Sequence, residues 1–466
     1  MNRAFQAILV GIALLLASCG GGQLTAGIEG SGAPVTTVGS ITGFGSIFVN
    51  GVEYATAGAQ IGIDGQPGTE AQLSVGDVVT VVGTVNADGK TGTAGRVTFG
   101  GNVAGTVDQV NVPTQTLVVL GQTVLVTAST VFDASTSPAD ITGIKPGASI
   151  EVSGFANSFG QLVASHIHLL PAAGTLRVEG VAQALNTTAH TFQVNALLVD
   201  YSAVTPSGTL ADGSIVGVEG SGFSASGALQ ATAVEVAPAV AATPNSQGEV
   251  EGIITSFTSN ADFMINGLHV TTDAGTQFTL NGATLGVNAR VAVEGSFDSS
   301  GNLVAATLEA LPEGGALVRG VVQALPASGT LTVLGVTVTT DPRTKLEDDS
   351  SLRLRPFHLS DLQVGDYVEA RGRVGIGATL NAEVLVRQAP NSLAFLQDTA
   401  TNVSSVTLTL LGVTVVVSSQ TQYSGSDGAP LTAPQFFAQA PNHTVKAGGT
   451  PSGNSLLATQ AQIEGP

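Results

Sequence analysis

The chain has 466 residues, about three times the length of a typical domain, so several domains or a repeat array are expected. Its 15 basic and 34 acidic residues give a net charge of −19. A nucleic-acid-binding protein needs a basic surface that displaces counterions from phosphates, so this balance excludes that class. The apolar share is 43%, and 60 glycines among many β-branched residues favour strands joined by tight turns.

Residues 1–18 form a predicted leader. Arg3 is its only charged residue, and the largely apolar stretch 4–18 has 15 residues. A helix that spans a bilayer needs about 20 residues, so the shorter stretch indicates the hydrophobic region of a secretory signal.

The leader ends in Leu16-Ala17-Ser18-Cys19, which resembles the bacterial lipobox of an aliphatic residue, two small residues and cysteine. The resemblance implies cleavage before Cys19, a diacylglyceryl group on its thiol and acylation of the new amino terminus, with palmitate among the acyl chains. Gly20 follows instead of aspartate, which by the same resemblance implies the outer membrane of a diderm bacterium. The alternative is an ordinary signal peptide with a chance cysteine. Residues 19–36 are rich in glycine and form a flexible tether after the lipidated cysteine.

The remainder of the chain repeats four short strings in a constant order. The most regular string is L-x-x-G, then alternating apolar residues and a final glycine, as in 73–83 (LSVGDVVTVVG) and 362–372 (LQVGDYVEARG). The recurrence predicts six units, at 37–100, 101–171, 172–238, 247–312, 313–390 and 391–466, the last of them degenerate. Residues 239–246 are a predicted linker.

The strings alternate apolar and polar residues with a period of two, which predicts short, half-buried strands. The pairs Asn50-Gly51 and Asn266-Gly267 lie between such runs and predict tight hairpins. A small sheet avoids exposed edges best when it closes into a barrel. The predicted fold class is therefore all-β: a tandem array of six small antiparallel OB-like or SH3-like β-barrels strung in a row. In such an array removal of 391–466 is expected to leave the other units folded.

The segment 39–54, GSITGFGSIFVNGVEY, is similar to the bacterial repeat family called domain of unknown function 5666. The similarity covers residues 37–466 and weakens in the sixth unit. It implies small β-barrels of the kind found in lipoproteins and secreted proteins. It implies no activity and no functional residues.

Two histidines, His166 and His168, lie two residues apart on the predicted last strand of the second unit and project from the same face. A His-x-His pair on a strand can hold zinc or copper, but the sequence shows no third ligand. The matching positions in the third unit are Ala233 and Glu235. This face is therefore expected to be exposed to solvent and its histidines to be unliganded.

Arg353 and Arg355 alternate with two leucines in the fifth unit, which places both guanidinium groups on one side of an extended segment. Two such groups can hold a carboxylate, sulfate or phosphate. The favoured alternative is pairing with acidic residues of the same unit, namely Asp348, Asp349, Asp361 and Asp366. The acidic clusters at 347–349 and around Asp427 do not match a calcium-binding loop, so solvated loops are expected there.

No spacing of serine, histidine and aspartate selects a catalytic triad, and the single cysteine is assigned to lipid. We therefore expect no enzymatic activity and no cofactor. The leading interpretation is a non-catalytic cell-envelope lipoprotein that acts as a repeat spacer and interaction scaffold. Its N-terminal lipid attaches it to the membrane, and an envelope protein or polysaccharide is its expected partner. The alternative is an oligosaccharide-binding module, although no tryptophan and only four tyrosines are present to stack on sugar rings.

Overall fold

A computed structural model describes residues 34–171, 174–236, 240 and 244–464, most of them in β-strands. The predicted leader and Cys19 lie outside the described residues. The predicted tether, 19–36, extends too far, because the first strand already begins at Pro34. Pro34 and Val35 pair with Thr84 and Gly83. None of the helices formed by the described residues has the length and apolarity needed to cross a bilayer.

The strands fall into consecutive sets along the chain. Set 1 contains Pro34–Gly43 (β1), Ile47–Val49 (β2), Val52–Ala55 (β3), Gln60–Ile63 (β4), Gln66–Pro67 (β5), Val78–Val85 (β6) and Thr91–Phe99 (β7). Set 2 contains Val103–Asn111 (β8), Thr116–Val119 (β9), Gln122–Leu125 (β10), Val131–Phe132 (β11), Ser149–Ala156 (β12) and Leu162–Leu169 (β13). Set 3 contains Leu176–Asn186 (β14), Thr191–Val194 (β15), Leu197–Asp200 (β16), Ile215–Phe223 (β17) and Leu229–Val236 (β18).

The second half of the chain continues this pattern. Set 4 contains Gln247–Ser259 (β19), Asp262–Ile265 (β20), Leu268–Thr279 (β21), Arg290–Phe297 (β22) and Leu303–Ala310 (β23). Set 5 contains Ala316–Ala327 (β24), Thr330–Val333 (β25), Val336–Thr339 (β26), Lys345–Asp348 (β27), Tyr367–Val374 (β28) and Thr379–Gln388 (β29). Set 6 contains Ala394–Thr399 (β30), Thr407–Leu410 (β31), Val413–Val416 (β32), Gln422–Ser424 (β33), Pro430–Leu431 (β34), Thr444–Ser452 (β35) and Ser455–Ile463 (β36). Short helices are the 3-10 turns Glu70–Gln72, Ile141–Gly143 and Leu359–Asp361, and the α-helix Ala433–Gln439 (α1).

The fold is all-β and contains small closed five-stranded barrels. In set 4 the strands pair in the order β19–β20–β21–β23–β22, and β22 returns to β19. Sets 3 and 5 close in the same way through β14–β17 and β24–β28. In sets 1 and 2, β6 pairs with β1 and β7, and β12 pairs with β8 and β13. In set 6 a single bridge from Thr401 to Thr409 links the end of β30 to β31.

Each barrel contains at least one parallel pairing, which departs from the antiparallel barrels that the sequence predicted. The third strand of the barrel runs parallel to the last, as β21 does beside β23, where Val270 pairs with Leu303. A closed ring with an odd number of strands cannot alternate in direction throughout. Five strands therefore require at least one parallel neighbour.

The final glycine of the most regular repeat string lies at a β-bulge. At Gly295 the register between β22 and β23 shifts by one residue, and an added Cβ would lie 2.0 Å from the backbone oxygen of Val304. Glycine is required here because the bulge brings two backbones together. Register shifts occur also at Gly83, Gly154, Gly220, Gly372 and Gly449.

The tight hairpins predicted at two Asn-Gly pairs are confirmed. Asn50 and Gly51 have φ values of 53° and 89°, and Asn266 and Gly267 have 43° and 84°. Positive φ at both central residues is the turn that suits the twist of two antiparallel strands. The local turn chemistry of the repeat therefore sets the register of the second and third strands.

The sets are joined through shared sheets, and some partners are distant in sequence. β8 pairs with β14, and β24 pairs with β30, which joins sets 2 and 3 and sets 5 and 6. β1 pairs in parallel with β19, which joins set 1 to set 4. The predicted row of units is therefore wrong, because the ladder between β1 and β19 brings the first and fourth sets together.

Candidate functional site

Sets 1 and 2 meet at two histidines and two aspartates, which we call the histidine cluster: Asp77, Asp133, His166 and His168. The side chains of Asp77 and His166 are 0% and 1% exposed, and those of His168 and Asp133 are 20% and 25% exposed. The cluster is thus buried on one side and open to solvent on the other.

Asp77 reaches the cluster from the turn that precedes β6. The backbone N–H of Ser74 donates to Asp77 Oδ2 at 2.7 Å, so this oxygen closes the turn while Oδ1 faces set 2. Gly76 lets the two sets approach, since an added Cβ there would lie 2.7 Å from the backbone oxygen of Ser165. The N–H of Val78 then donates to a side chain of set 2, Ser153 Oγ, at 2.8 Å.

His166 and His168 lie on the same face of β13, as predicted, with ring centroids 4.1 Å apart. His166 Nδ1 is 2.8 Å from Asp77 Oδ1, and His168 Nε2 is 3.6 Å from the same oxygen. The predicted solvent exposure is wrong, because the turn that carries Asp77 covers this face of the strand. The same contact supplies the third potential ligand that the sequence did not reveal.

Asp133 directly follows β11. It faces the ring nitrogens that point away from Asp77. The N–H of Leu169 donates to Asp133 Oδ2 at 2.8 Å. Asp133 Oδ1 lies 3.3 Å from His168 Nδ1 and 3.8 Å from His166 Nε2. His166 Nε2 is buried and has no hydrogen-bond partner among the described residues.

The carboxylates of the cluster hold a positive charge on His168. Burial alone would lower the pKa of His168, but Asp133 and Asp77 raise it to about 10. Burial alone would raise the pKa of Asp77, whereas His166 and His168 lower it to about 2. Burial also lowers the pKa of His166, and Asp77 offsets this only in part, so that ring is neutral.

Buried charges also join sets 2, 4 and 5. Lys345 Nζ donates to the backbone oxygen of Ser129 at 2.7 Å and to Ser165 Oγ at 2.8 Å, both in set 2. Burial, assisted by the positive charge of Arg290, lowers the pKa of Lys345 to about 7. Arg290 of set 4 donates through Nε to Glu251 Oε1 of its own set at 2.9 Å and through Nη1 to Ser129 Oγ of set 2 at 3.2 Å. These cations bind protein groups across the boundaries between sets.

The two arginines predicted as an anion site have different partners. Arg353 Nη1 is 2.9 Å from Asp349 Oδ1 of its own set, as the favoured alternative expected. Arg355 Nη2 donates to the backbone oxygen of Glu70 at 2.9 Å, and its guanidinium lies 3.8 Å from the centre of the Phe44 ring, both in set 1. Arg353 has a φ of 49°, so the segment is not extended and the predicted common side is lost.

The predicted acidic clusters have contacts within the protein. Asp348 Oδ2 is 2.5 Å from Arg387 Nη2. Asp427 accepts a hydrogen bond from the N–H of Ala429 at 2.9 Å. Glu347 is different: burial, with the charges of neighbouring aspartates, raises its pKa to about 8, so this side chain is mostly protonated at neutral pH.

A separate cleft of about 590 Å³ lies between sets 2, 3 and 4. Asn195 Nδ2 donates to Gln122 Oε1 at 2.6 Å and to the backbone oxygen of Gly160 at 2.8 Å. Phe159 lines the cleft and is 74% exposed. The side-chain amides of the lining are those of Asn102, Gln122, Asn157, Gln183, Asn195 and Asn266.

Sequence reasoning missed Asp77 and Asp133. Asp77 follows the glycine of the L-x-x-G string, where Asp366 stands in the fifth predicted unit, so its position indicated only a local turn. Indeed Asp366 also closes its own turn, accepting from the N–H of Gln363 at 3.0 Å. The contact with His166 spans 89 residues and depends on how two sets dock, for which the repeat pattern carries no signal.

Strand sets with a recurring bulge and recurring hairpins define a repeat protein of small β-barrels. A family model described as Domain of unknown function (DUF5666) matches residues 34–98, 104–168, 251–309, 319–384 and 399–462, together more than half of the chain. The chain belongs to this family, which confirms the resemblance seen in the sequence. A search of curated proteins finds no match.

Proposed function

We propose that this protein is a non-catalytic lipoprotein of the bacterial cell envelope that acts as an interaction scaffold. In this proposal the body consists of six units, the last of them degenerate, carried by a lipid on Cys19. In the closed barrels the first strand pairs with the second, the second with the third, the third with the fifth, the fifth with the fourth, and the fourth with the first. This strand order supports the OB-like form of the units.

The observation that carries the scaffold role is the use of buried charges between barrels. The buried Lys345 of set 5 binds a backbone oxygen of set 2, and the exposed Arg355 of the same set binds one of set 1. Glu251 of set 4 accepts from the N–H of Ser40 in set 1 at 3.1 Å. A buried charge that loses its partner is strongly destabilising, so the contacts of Lys345 and Glu251 favour one arrangement of the barrels. Such a body presents the outer surfaces of several barrels to a partner in fixed positions.

Cys19→Ala tests the anchor. The change removes the thiol that would carry the lipid, so the protein should move from the membrane fraction to the soluble periplasm or remain as an uncleaved precursor. Ser18→Ala is the matched control, because it keeps a small residue before the cysteine and should leave the protein in the membrane fraction. A fully cleaved wild-type protein with a free thiol would contradict the proposal.

The scaffold role is tested by cross-linking in cells followed by capture of the full chain. Wild-type protein should carry cross-links to an envelope protein or polysaccharide, and the Cys19→Ala protein should lose them because it is released from the membrane. The purified protein should turn over no compound in a panel of hydrolase substrates. Turnover that disappears on replacement of a described residue would overturn the non-catalytic assignment.

A second candidate function, oligosaccharide binding, is supported by the amide-lined cleft between sets 2, 3 and 4. Side-chain amides both donate and accept hydrogen bonds, as sugar hydroxyl groups require. Phe159 offers an exposed aromatic face at the same cleft. A glycan array with wild-type protein should then show binding that Phe159→Ala weakens. Phe223→Ala, at a half-exposed ring outside the cleft, should leave binding unchanged, and equal loss in both variants would exclude the cleft.

A further inference from the structure

We propose that Asp77, His166 and His168 form a binding site for a divalent transition-metal ion, with zinc as the ion that fits best. The site goes beyond the scaffold role, because it requires neither a lipid anchor nor an envelope partner. It lies at the contact between sets 1 and 2, so a bound ion would tie two barrels together.

The donor atoms have the spacing that such an ion needs. One ligand atom from each of the three residues lies within 4.8 Å of the other two. Asp77 Oδ1 is 2.8 Å from His166 Nδ1 and 3.6 Å from His168 Nε2. Ligand atoms of a tetrahedral zinc ion, at about 2.0–2.1 Å from the metal, stand about 3.3 Å from one another. The observed separations lie on both sides of that value, so small side-chain movements bring the atoms into place.

Asp133 supplies the outer contact that metal-bound imidazoles usually make. Its Oδ1 faces the ring nitrogens that point away from Asp77, at 3.3 Å for His168 Nδ1 and 3.8 Å for His166 Nε2. A carboxylate that accepts from the second N–H orients the ring and strengthens its binding to metal. A metal ion that coordinates His168 displaces the proton that this ring carries. The two negative charges of Asp77 and Asp133 then lie beside two neutral rings and match a divalent cation.

The unpaired nitrogen of His166 is an independent sign that the cluster lacks a component. When Nδ1 donates to Asp77, Nε2 keeps a lone pair to which no described residue donates, although the side chain is 1% exposed. Buried polar atoms are rarely left without a partner. Coordination through Nδ1 moves the ring proton to Nε2, which faces Asp133 Oδ1 at 3.8 Å. A small movement of this carboxylate toward the ring then satisfies both nitrogens.

Set 5 shows that docking against set 1 does not by itself require histidine. Val384 and Val386 of β29 are the counterparts of His166 and His168 in β13. Val384 pairs with the residue that precedes the bulge glycine of β28, as His166 pairs with the residue that precedes the bulge glycine of β12. Both valines are buried in the hydrophobic core of set 1. The two imidazoles beside Asp77 are therefore particular to set 2, since packing of a barrel of this family against set 1 does not require them.

The test uses the full chain in detergent, stripped with a chelator and titrated with Zn²⁺ or Co²⁺ alone. One equivalent of Zn²⁺ per chain should bind, Co²⁺ should produce the visible absorption of a low-symmetry nitrogen and oxygen site, and the ion should raise the Tm. Asp77→Asn and His168→Asn should abolish stoichiometric uptake. Asp133→Asn should weaken it by about 10–100-fold, as loss of an outer-shell carboxylate does.

His269→Asn is the matched control, because His269 Nε2 lies 2.9 Å from Asp262 in an exposed pair. It should leave uptake unchanged. Where a cluster variant fails to fold, Cu²⁺ with ascorbate and peptide mass spectrometry locates the binding histidines in the wild-type chain. Oxidation at His166 and His168 supports the site. No stoichiometric uptake by the wild type, or oxidation confined to the other histidines, overturns it.

Discussion

At the scale of single residues, two buried glutamates on β19 have opposite surroundings. Burial alone would raise the pKa of Glu251, but Arg290 and the N–H of Ser40 lower it, so this side chain is charged. Burial raises the pKa of Glu249 well above its usual value. Both of its carboxyl oxygens lack a hydrogen-bond partner among the described residues, and Arg343 Nη2 lies 3.9 Å away. The same strand thus carries a charged carboxylate, that of Glu251, and a carboxyl group whose protonated form burial favours, that of Glu249.

We therefore expect Glu249→Gln to raise the Tm at pH 8 and to leave it unchanged near pH 4. The pKa of Glu249 is higher in the folded protein than its usual 4.5, so its contribution is fully present below that pH and is lost as the pH rises. Glutamine mimics the protonated form at every pH. The expected gain is a few degrees, because about 1 kcal/mol shifts the Tm of a domain by roughly 2–8 °C. Thermal melting between pH 4 and pH 8 measures it.

Glu251→Gln is the control on the same strand and should act in the opposite direction. It removes the nearest charged partner of the buried Arg290 and leaves only Glu313, at 3.4 Å, among the described carboxylates within 4 Å of it. Loss of a partner of a buried charge costs up to about 3–5 kcal/mol. Its Tm should fall at pH 8. Equal responses of the two variants to pH would show that β19 does not place the two carboxyl groups in different surroundings.

At the scale of elements, the repeat string encodes a bulge. The strand that ends the string pairs with the next strand along the chain, and the register shifts at the glycine, as between β22 and β23. The shift crowds two backbones, and a bulge increases the local bend that a small closed barrel needs. This explains why the string ends in glycine although the residue lies inside a strand, where glycine usually weakens the sheet.

Gly295→Ala should destabilise the protein, because the new Cβ would lie 2.0 Å from the backbone oxygen of Val304. We expect a cost on the order of 1–3 kcal/mol, in the range of strained substitutions. Gly217→Ala is the control, since that glycine lies within β17 and an added Cβ meets no atom of the described residues within 4 Å. Denaturant unfolding should therefore move to lower concentration only for Gly295→Ala. A matching shift for Gly217→Ala would contradict the role of the bulge.

At the scale of the whole molecule, neighbouring barrels share a hydrophobic core and are not independent folding units. Residues of sets 5 and 6, among them Val318 and Leu396, belong to one hydrophobic core. The ladder between β24 and β30 runs directly through it, with Val318 paired to Leu396. The sequence-based expectation that removal of 391–466 leaves the other units folded treats the units as separate, whereas sets 5 and 6 share this core.

A chain that ends at Pro390 should accordingly lose stability in set 5. Removal of β30 exposes Val318 and the edge of β24 to water. Hydrogen–deuterium exchange should rise throughout 316–388 relative to the full chain. Peptides from 176–236 should exchange at the same rate in both proteins, since set 3 has no strand pairing with set 6 in the described structure. Unchanged exchange in 316–388 would show that set 5 folds independently of set 6.

The histidine cluster marks how far the sequence could predict a site. The spacing of His166 and His168 correctly places both rings on one face of a strand. Their burial and their neighbours could not be read from that spacing, because Asp77 arrives from another barrel. The same holds for Arg355, whose partners in set 1 replaced the local acidic residues that were expected.

What the sequence by itself determined is local: strands of alternating residues, hairpins at Asn-Gly pairs, and a glycine at each bulge. These features depend on side-chain periodicity and on backbone conformations that a few adjacent residues specify. Only the tertiary structure decided which barrels touch, because the ladder between β1 and β19 joins residues more than 200 positions apart. Such docking depends on the shape and charge of two complete surfaces, which exist only after each barrel has closed.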